Sequence, residues 1–162
     1  MKTILIVSGC AGQAGRLALE LEREGFAAIV VDSAEGARAA LDQRTIALAL
    51  VDLDLRGAVG REGLDLAREL GSTHPSLRVV LTGTCHLSER QLERIDCGAC
   101  GFLSKPFGLE GIGAYMRSKV EAEPGSRRLW HAEGGKASCE MKRAVPGGGV
   151  KCAAEDAFRA SF

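Results

Sequence analysis

The amino-acid sequence predicts an α/β domain, a parallel sheet covered by helices on both faces. Three observations carry this. Five short runs rich in Ile, Leu, Val and Ala recur along the first 120 of 162 residues, each the length of a buried strand and too short for a helix. Between several of them, apolar residues return at helical spacing. The connections are short, and strand–helix alternation joined that way buries both faces of a parallel sheet.

The elements follow in order. TILIV (3–7) reads as the first strand, and its helix carries Leu17 and Leu21 on one face and ends at Gly25. AAIVV (27–31) leads into Asp32 and Ser33. ALALV (47–51) runs into Asp52 and Asp54, and Leu64, Ala67 and Leu70 mark a helix that Pro75 stops. RVVLT (78–82) and GFLS (101–104) are the fourth and fifth strands. A fourth helical stretch is expected between them. The fifth, GLEGIGAYMRSKV, contains Gly108, Gly111 and Gly113, each costing roughly 1 kcal/mol against alanine in a helix interior. It is therefore expected to be soft.

Composition divides the chain into a domain over residues 1–120 and a tail over 121–162. The tail shows no sustained period and holds two prolines with GG and GGG runs, so it is expected to be flexible or loosely docked, with Trp130 as its anchor. The formal net charge is zero, which gives no electrostatic footprint for nucleic acid or an anionic membrane. No apolar run reaches a membrane span and no signal peptide is seen, so a cytoplasmic location is expected. Six cysteines in such a chain read as free thiols rather than a disulfide framework.

Right-handed crossovers bring all five strand ends to one rim, where ligand chemistry collects in parallel sheets. Ser8, Gly9 and Cys10 stand there after the first strand, Asp32 after the second, and Asp52 and Asp54 after the third. Thr82-Gly83-Thr84 and Ser104-Lys105-Pro106-Phe107 complete it. A carboxylate, a hydroxyl and an ammonium, distant in sequence, converge. Gly9, Gly12 and Gly15 also fit a glycine-rich dinucleotide loop, with Asp32 placed as a ribose acid; a nucleotide-binding oxidoreductase is the distant alternative, because no second nucleotide-binding half follows. Cys97-Gly-Ala-Cys100 has redox or zinc spacing but falls at the opposite rim from Cys85 and His86, about 15 Å away along a ten-residue helix. It reads as small buried thiols in a tight connection.

At these residues the chain resembles the response-regulator receiver domain of two-component signalling, over about residues 2 to 120. LALVDLDL resembles the phosphoacceptor strand, VVLTG the strand that ends in a switch hydroxyl, and GACGFLSKPF the lysine–proline corner. Lysine is rare before residue 120, at positions 2, 105 and 119 only, against eleven arginines, so an ammonium in that slot is not background. The resemblance implies a flavodoxin-like sheet in the order 2-1-3-4-5. It implies Asp52 as phosphoacceptor, with Thr82, Lys105 and Phe102 as phosphate-binding and switch residues. It further implies a histidine kinase or histidine phosphotransferase as donor, and output through the face of the fourth helical stretch, fifth strand and fifth helical stretch.

The pattern breaks after the first strand. Receivers carry two adjacent acids there that hold Mg²⁺ with the phosphoacceptor; this chain has Ser8 and Gly9. Arg56 takes the usual proline slot, and RGAVGREG lengthens the loop by about three residues. Asp52 and Asp54 remain as weak metal ligands, Asp54 chiefly through its backbone carbonyl. Mg²⁺ is expected to bind weakly or not at all, and no catalytic group beyond Asp52 is expected. The expectation is thus a signalling protein rather than an enzyme. A phosphorylation-independent pseudo-receiver that binds partners is the alternative, and neither nucleic acid nor membrane is an expected partner.

Overall fold

The computed structural model describes residues 1–55, 61–84, 87, 91, 94 and 98–121. Strands β1 (Thr3–Val7), β2 (Ala27–Val31), β3 (Leu48–Asp52), β4 (Arg78–Gly83) and β5 (Ala99–Ser104) alternate with helices α1 (Ala11–Arg23), α2 (Ala34–Gln43), α3 (Arg61–Thr73) and α4 (Ile112–Glu121). The strands form one sheet in the order β2-β1-β3-β4-β5, and every pairing is parallel. Register places Val7 beside Val51 and Asp52 beside Thr82.

Strand periodicity of two divides the core into two layers. Leu5, Val7, Ala49, Val51, Val79 and Leu81 pack on the side of α2 and α3, with Ala37, Ala67 and Leu70. Ile4, Ile6, Leu48, Leu50 and Val80 pack on the other, with Leu17 and Leu21 of α1 and Ile112 and Met116 of α4. β3 is buried along its whole length, as a central strand covered on both faces must be. Each such side chain contributes about 1.5–3 kcal/mol by leaving water. Ser33 caps α2, its Oγ accepting from Gly36 N at 3.3 Å. Arg38 of α2 grips Glu69 of α3 through two hydrogen bonds of 2.7 and 2.8 Å, and this holds the Glu69 carboxyl below its usual range.

Gly25, at φ +88°, turns the chain out of α1 in a conformation that costs other residues strain. Gly63 in the first turn of α3 is required by proximity instead. A methyl group there would overlap the Asp52 carbonyl oxygen and stand 2.9 Å from Leu53 Cα, so α3 seats directly against the tip of β3.

Several boundaries differ from the sequence reading. β3 runs one residue further than expected, so Asp52 is its last residue rather than the first beyond it. β5 begins at Ala99, which places Cys100 inside the strand rather than in a connection. The last helix begins at Ile112, leaving Gly108 and Gly111 in the turn before it, with Gly111 at φ +75°. Only Gly113 is helical, and the expected softness loses most of its cause. The expected fourth helical stretch, Arg56, Cys85, His86, Cys97, Trp130 and the tail beyond residue 121 lie wholly or largely outside the described residues. Among the described residues no helix is long and apolar enough to cross a membrane.

Candidate functional site

The ends of β1, β3, β4 and β5 meet at one rim, around an open cavity of about 550 Å³. Gly9, Cys10 and Gln13 line it from the β1–α1 corner, Asp52 and Asp54 from the end of β3, and Thr84, Lys105 and Pro106 from the ends of β4 and β5. Apolar strand interiors hold this rim rigidly, while each strand's last residues are free to be polar.

Asp52 is buried, with 1% of its surface exposed. Taking a carboxylate out of water is costly unless its oxygens find donors, and three are supplied. The Lys105 ammonium is paired with Oδ2. Ser8 Oγ donates to the same oxygen at 2.9 Å. The Asp54 amide donates to Oδ1 at 3.0 Å. Lys105 is delivered from the far side of the sheet because its backbone N–H bonds Gly83 O at 2.8 Å, continuing the β4–β5 ladder past the strand end.

Thr82 is paired in register with Asp52 and is 3% exposed. Its Oγ1 is buried and has no hydrogen-bond partner among the described residues. A buried hydroxyl left without a partner costs about 1–3 kcal/mol, so this atom is poised for an acceptor that arrives from outside. Phe102 pairs with Leu81 and lies half-buried against the α2–α3 layer. The structure thus brings Ser8, Asp52 and Lys105 into direct contact, with Thr82 alongside.

Other sequence-stretch candidates fall differently. Asp54 contributes more than a backbone carbonyl, since its Oδ2 accepts from Thr84 N at 3.2 Å and Thr84 Oγ1 at 3.3 Å. That clasp joins the ends of β3 and β4; Thr84 was visible in the strand-end triplet, but nothing local pointed to its partner. Gly12 and Gly15 lie inside α1, with nothing within 4 Å of where a Cβ would stand. No close approach of the protein's own backbone requires them. Among the described residues no group of three or more His, Cys, Asp or Glu side chains is arranged to hold a metal ion.

Sequence reasoning also passed over Lys119. It is 2% exposed in α4, donates to Cys100 O at 2.9 Å and lies over the Tyr115 ring at 5.3 Å. Burial lowers the Lys119 pKa and raises those of Cys100 and Tyr115. Its helical position among apolar neighbours, Met116 three residues before and Val120 beside it, was the available signal.

Comparison with known proteins agrees with this geometry. The family model of the response regulator receiver domain matches residues 4–117. The chain is 30% identical over 124 residues to the photosynthetic apparatus regulatory protein RegA of Rhodobacter capsulatus, covering 76% of this chain and 65% of that protein. It is 30% identical over 126 residues to the transcriptional regulatory protein PmrA of Pectobacterium parmentieri, covering 78% and 55%. The receiver domain of NtrX from Brucella abortus superimposes with a TM-score of 0.65 at 28% identity, covering 74% of this chain and 99% of that one. The chain spans about two thirds or less of the curated relatives it matches here. Because one of them is named a transcriptional regulator, zero net charge does not support the expectation that nucleic acid plays no part. That charge describes these residues only. A buried strand-end aspartate paired with a lysine just past the fifth strand, on a 2-1-3-4-5 parallel sheet matched across residues 4–117, places this chain in the response regulator receiver domain family.

Proposed function

We propose that this receiver domain works in a two-component pathway in the cytoplasm by accepting a phosphoryl group on Asp52 from a histidine kinase or histidine phosphotransferase. The observation that carries the reading is the Asp52–Lys105 ion pair beside a Thr82 hydroxyl that has no partner among the described residues, at an open cavity. In this reading the Asp52 carboxylate attacks phosphorus and the phosphorus–nitrogen bond of the phosphohistidine breaks. Lys105 screens the phosphoryl oxygens, and Thr82 turns its free proton toward one of them. The new bond at Thr82, passed to Phe102 on the neighbouring edge strand β5, is the change a partner reads.

Receiver domains generally bind Mg²⁺ at the phosphorylation site. The donors present here do not fit that ion well. Where two carboxylates are usual, Gly9 has no side chain and Ser8 commits its proton to Asp52. One Asp52 oxygen already accepts two donors, and Mg²⁺ demands near-ideal oxygen geometry. We therefore read metal affinity as weak.

Intact-mass measurement after incubation with acetyl phosphate and Mg²⁺ tests the reading. One phosphoryl group on the wild type and none on Asp52→Asn is expected. An unmodified wild type would overturn it, in favour of phosphorylation-independent partner binding.

A further inference from the structure

Ser8 stands where an acid is usual, yet its hydroxyl is not an idle remnant. Its Oγ accepts from the Cys10 amide at 3.3 Å, at the N-cap of α1, and donates to Asp52 Oδ2 at 2.9 Å. A hydroxyl has one proton to give, and the amide on its lone pair orients that proton toward Asp52. The residue is buried, 7% exposed.

A carboxylate has about two lone-pair sites on each oxygen. Oδ2 has both filled, by Ser8 and Lys105. Oδ1 accepts the Asp54 amide and, among the described residues, keeps one site open. The two oxygens of a free carboxylate are equivalent; here they are not.

We propose that Ser8 is a positioning residue for phosphoryl transfer: with Lys105 it pins Oδ2 and leaves Oδ1 as the attacking oxygen, so that transfer onto Asp52 proceeds without a divalent cation. This rests on the reading of Asp52 as the phosphoacceptor. With acetyl phosphate as donor, an Oδ1 lone pair forms the bond to phosphorus. The bond from phosphorus to the bridging acetyl oxygen breaks, and acetate leaves with that electron pair. No proton moves, so Ser8 keeps its own and remains bonded to Oδ2, which has become the carbonyl oxygen of the acyl phosphate.

The test is the rate of acetyl phosphate labelling, followed by intact mass, with excess Mg²⁺ and with EDTA. Wild type, Ser8→Ala, Ser8→Thr and Ser8→Asp are compared, with unfolding midpoints to show that each folds. Wild type is expected to label at the same rate, within about twofold, in both conditions. Ser8→Ala should label at least about tenfold more slowly in both, the loss expected for one hydrogen bond to a charged group, and Ser8→Thr should restore the rate. Ser8→Asp should be slow in EDTA and recover with Mg²⁺, a reversal that a merely structural role would not produce. Wild-type labelling that collapses in EDTA, or a Ser8→Ala variant as fast as wild type, overturns the proposal while leaving Asp52 as phosphoacceptor. Absence of label on the wild type in both conditions overturns the phosphoacceptor reading, and this proposal with it.

Discussion

Ser8 and Asp52, 44 residues apart, are joined by a 2.9 Å hydrogen bond from hydroxyl to carboxylate across the neighbouring ends of β1 and β3. The bond changes what the pocket can do. Where receivers set three carboxylates against one lysine, the charged groups lining this cavity among the described residues are Asp52, Asp54 and Lys105.

Restoring the acids should restore the metal. Two unit charges at 4 Å attract by about 4 kcal/mol at a surface-like effective dielectric, and even a small net fraction of this is a factor of ten. The Ser8→Asp/Gly9→Asp double variant is expected to bind Mg²⁺ at least about tenfold more tightly than wild type, offset in part by the dehydration Mg²⁺ resists. Isothermal titration gives both affinities. Equal affinities would mean that another group supplies the missing ligand.

Lys105 should matter for stability as well as for chemistry. The Asp52 side chain is 2% exposed and that of Lys105 14%, so removing the lysine leaves a nearly buried charge without its counter-ion. Lys105→Met is expected to cost about 3 kcal/mol in urea denaturation. Adding Asp52→Asn should recover about half of that, since the stranded charge is then gone. Additive losses in the double variant would show that the pair is not energetically coupled.

Gly63→Ala tests how α3 seats the site. The added methyl group meets the backbone of Asp52 and Leu53 rather than a flexible side chain, so α3 or the tip of β3 must move. A loss of about 1–3 kcal/mol is expected, together with slower acetyl phosphate labelling because Asp52 shifts. Unchanged stability and labelling would show that the helix adjusts freely.

Alkaline pH tests the cluster under β5. Burial raises the Cys100 and Tyr115 pKa values above their ordinary 9.0 and 10.0, so their contribution to stability is full below those values and is lost as pH climbs through the raised ones. Burial depresses Lys119 below its ordinary 10.5, which has the opposite sign: the cost of burying its charge is relieved as pH rises. Wild type is expected to lose stability from about pH 9 upward, and Lys119→Met, lacking the relieving arm, to lose it more steeply. Urea midpoints across that range decide; a shallower loss in the variant would reverse the assignment.

Much of the site was legible in the chain. Thr82 and Lys105 could be placed beside Asp52 because a parallel sheet forces all carboxyl ends to one rim, and that inference needs only strand order and direction. The Asp54–Thr84 clasp and the Lys119 bond to Cys100 were not legible. Each depends on which rotamer a side chain adopts against segments 30 or 19 residues away, and helical spacing beside Met116 marks only that Lys119 faces the core, not what it bonds.

Residue order was enough for the alternation of strands and helices, the rim on which Asp52, Thr82 and Lys105 meet, and the absence of acids at Ser8 and Gly9. These follow from residue types and periodicities, which are local properties. Folding settles that the Ser8 hydroxyl, oriented by the Cys10 amide, donates to Asp52 and that Thr82 keeps, in the same corner, a hydroxyl with no partner among the described residues. The direction of a hydrogen bond depends on distances of a few tenths of an ångström between strands brought together by folding, and residue order alone does not carry that information.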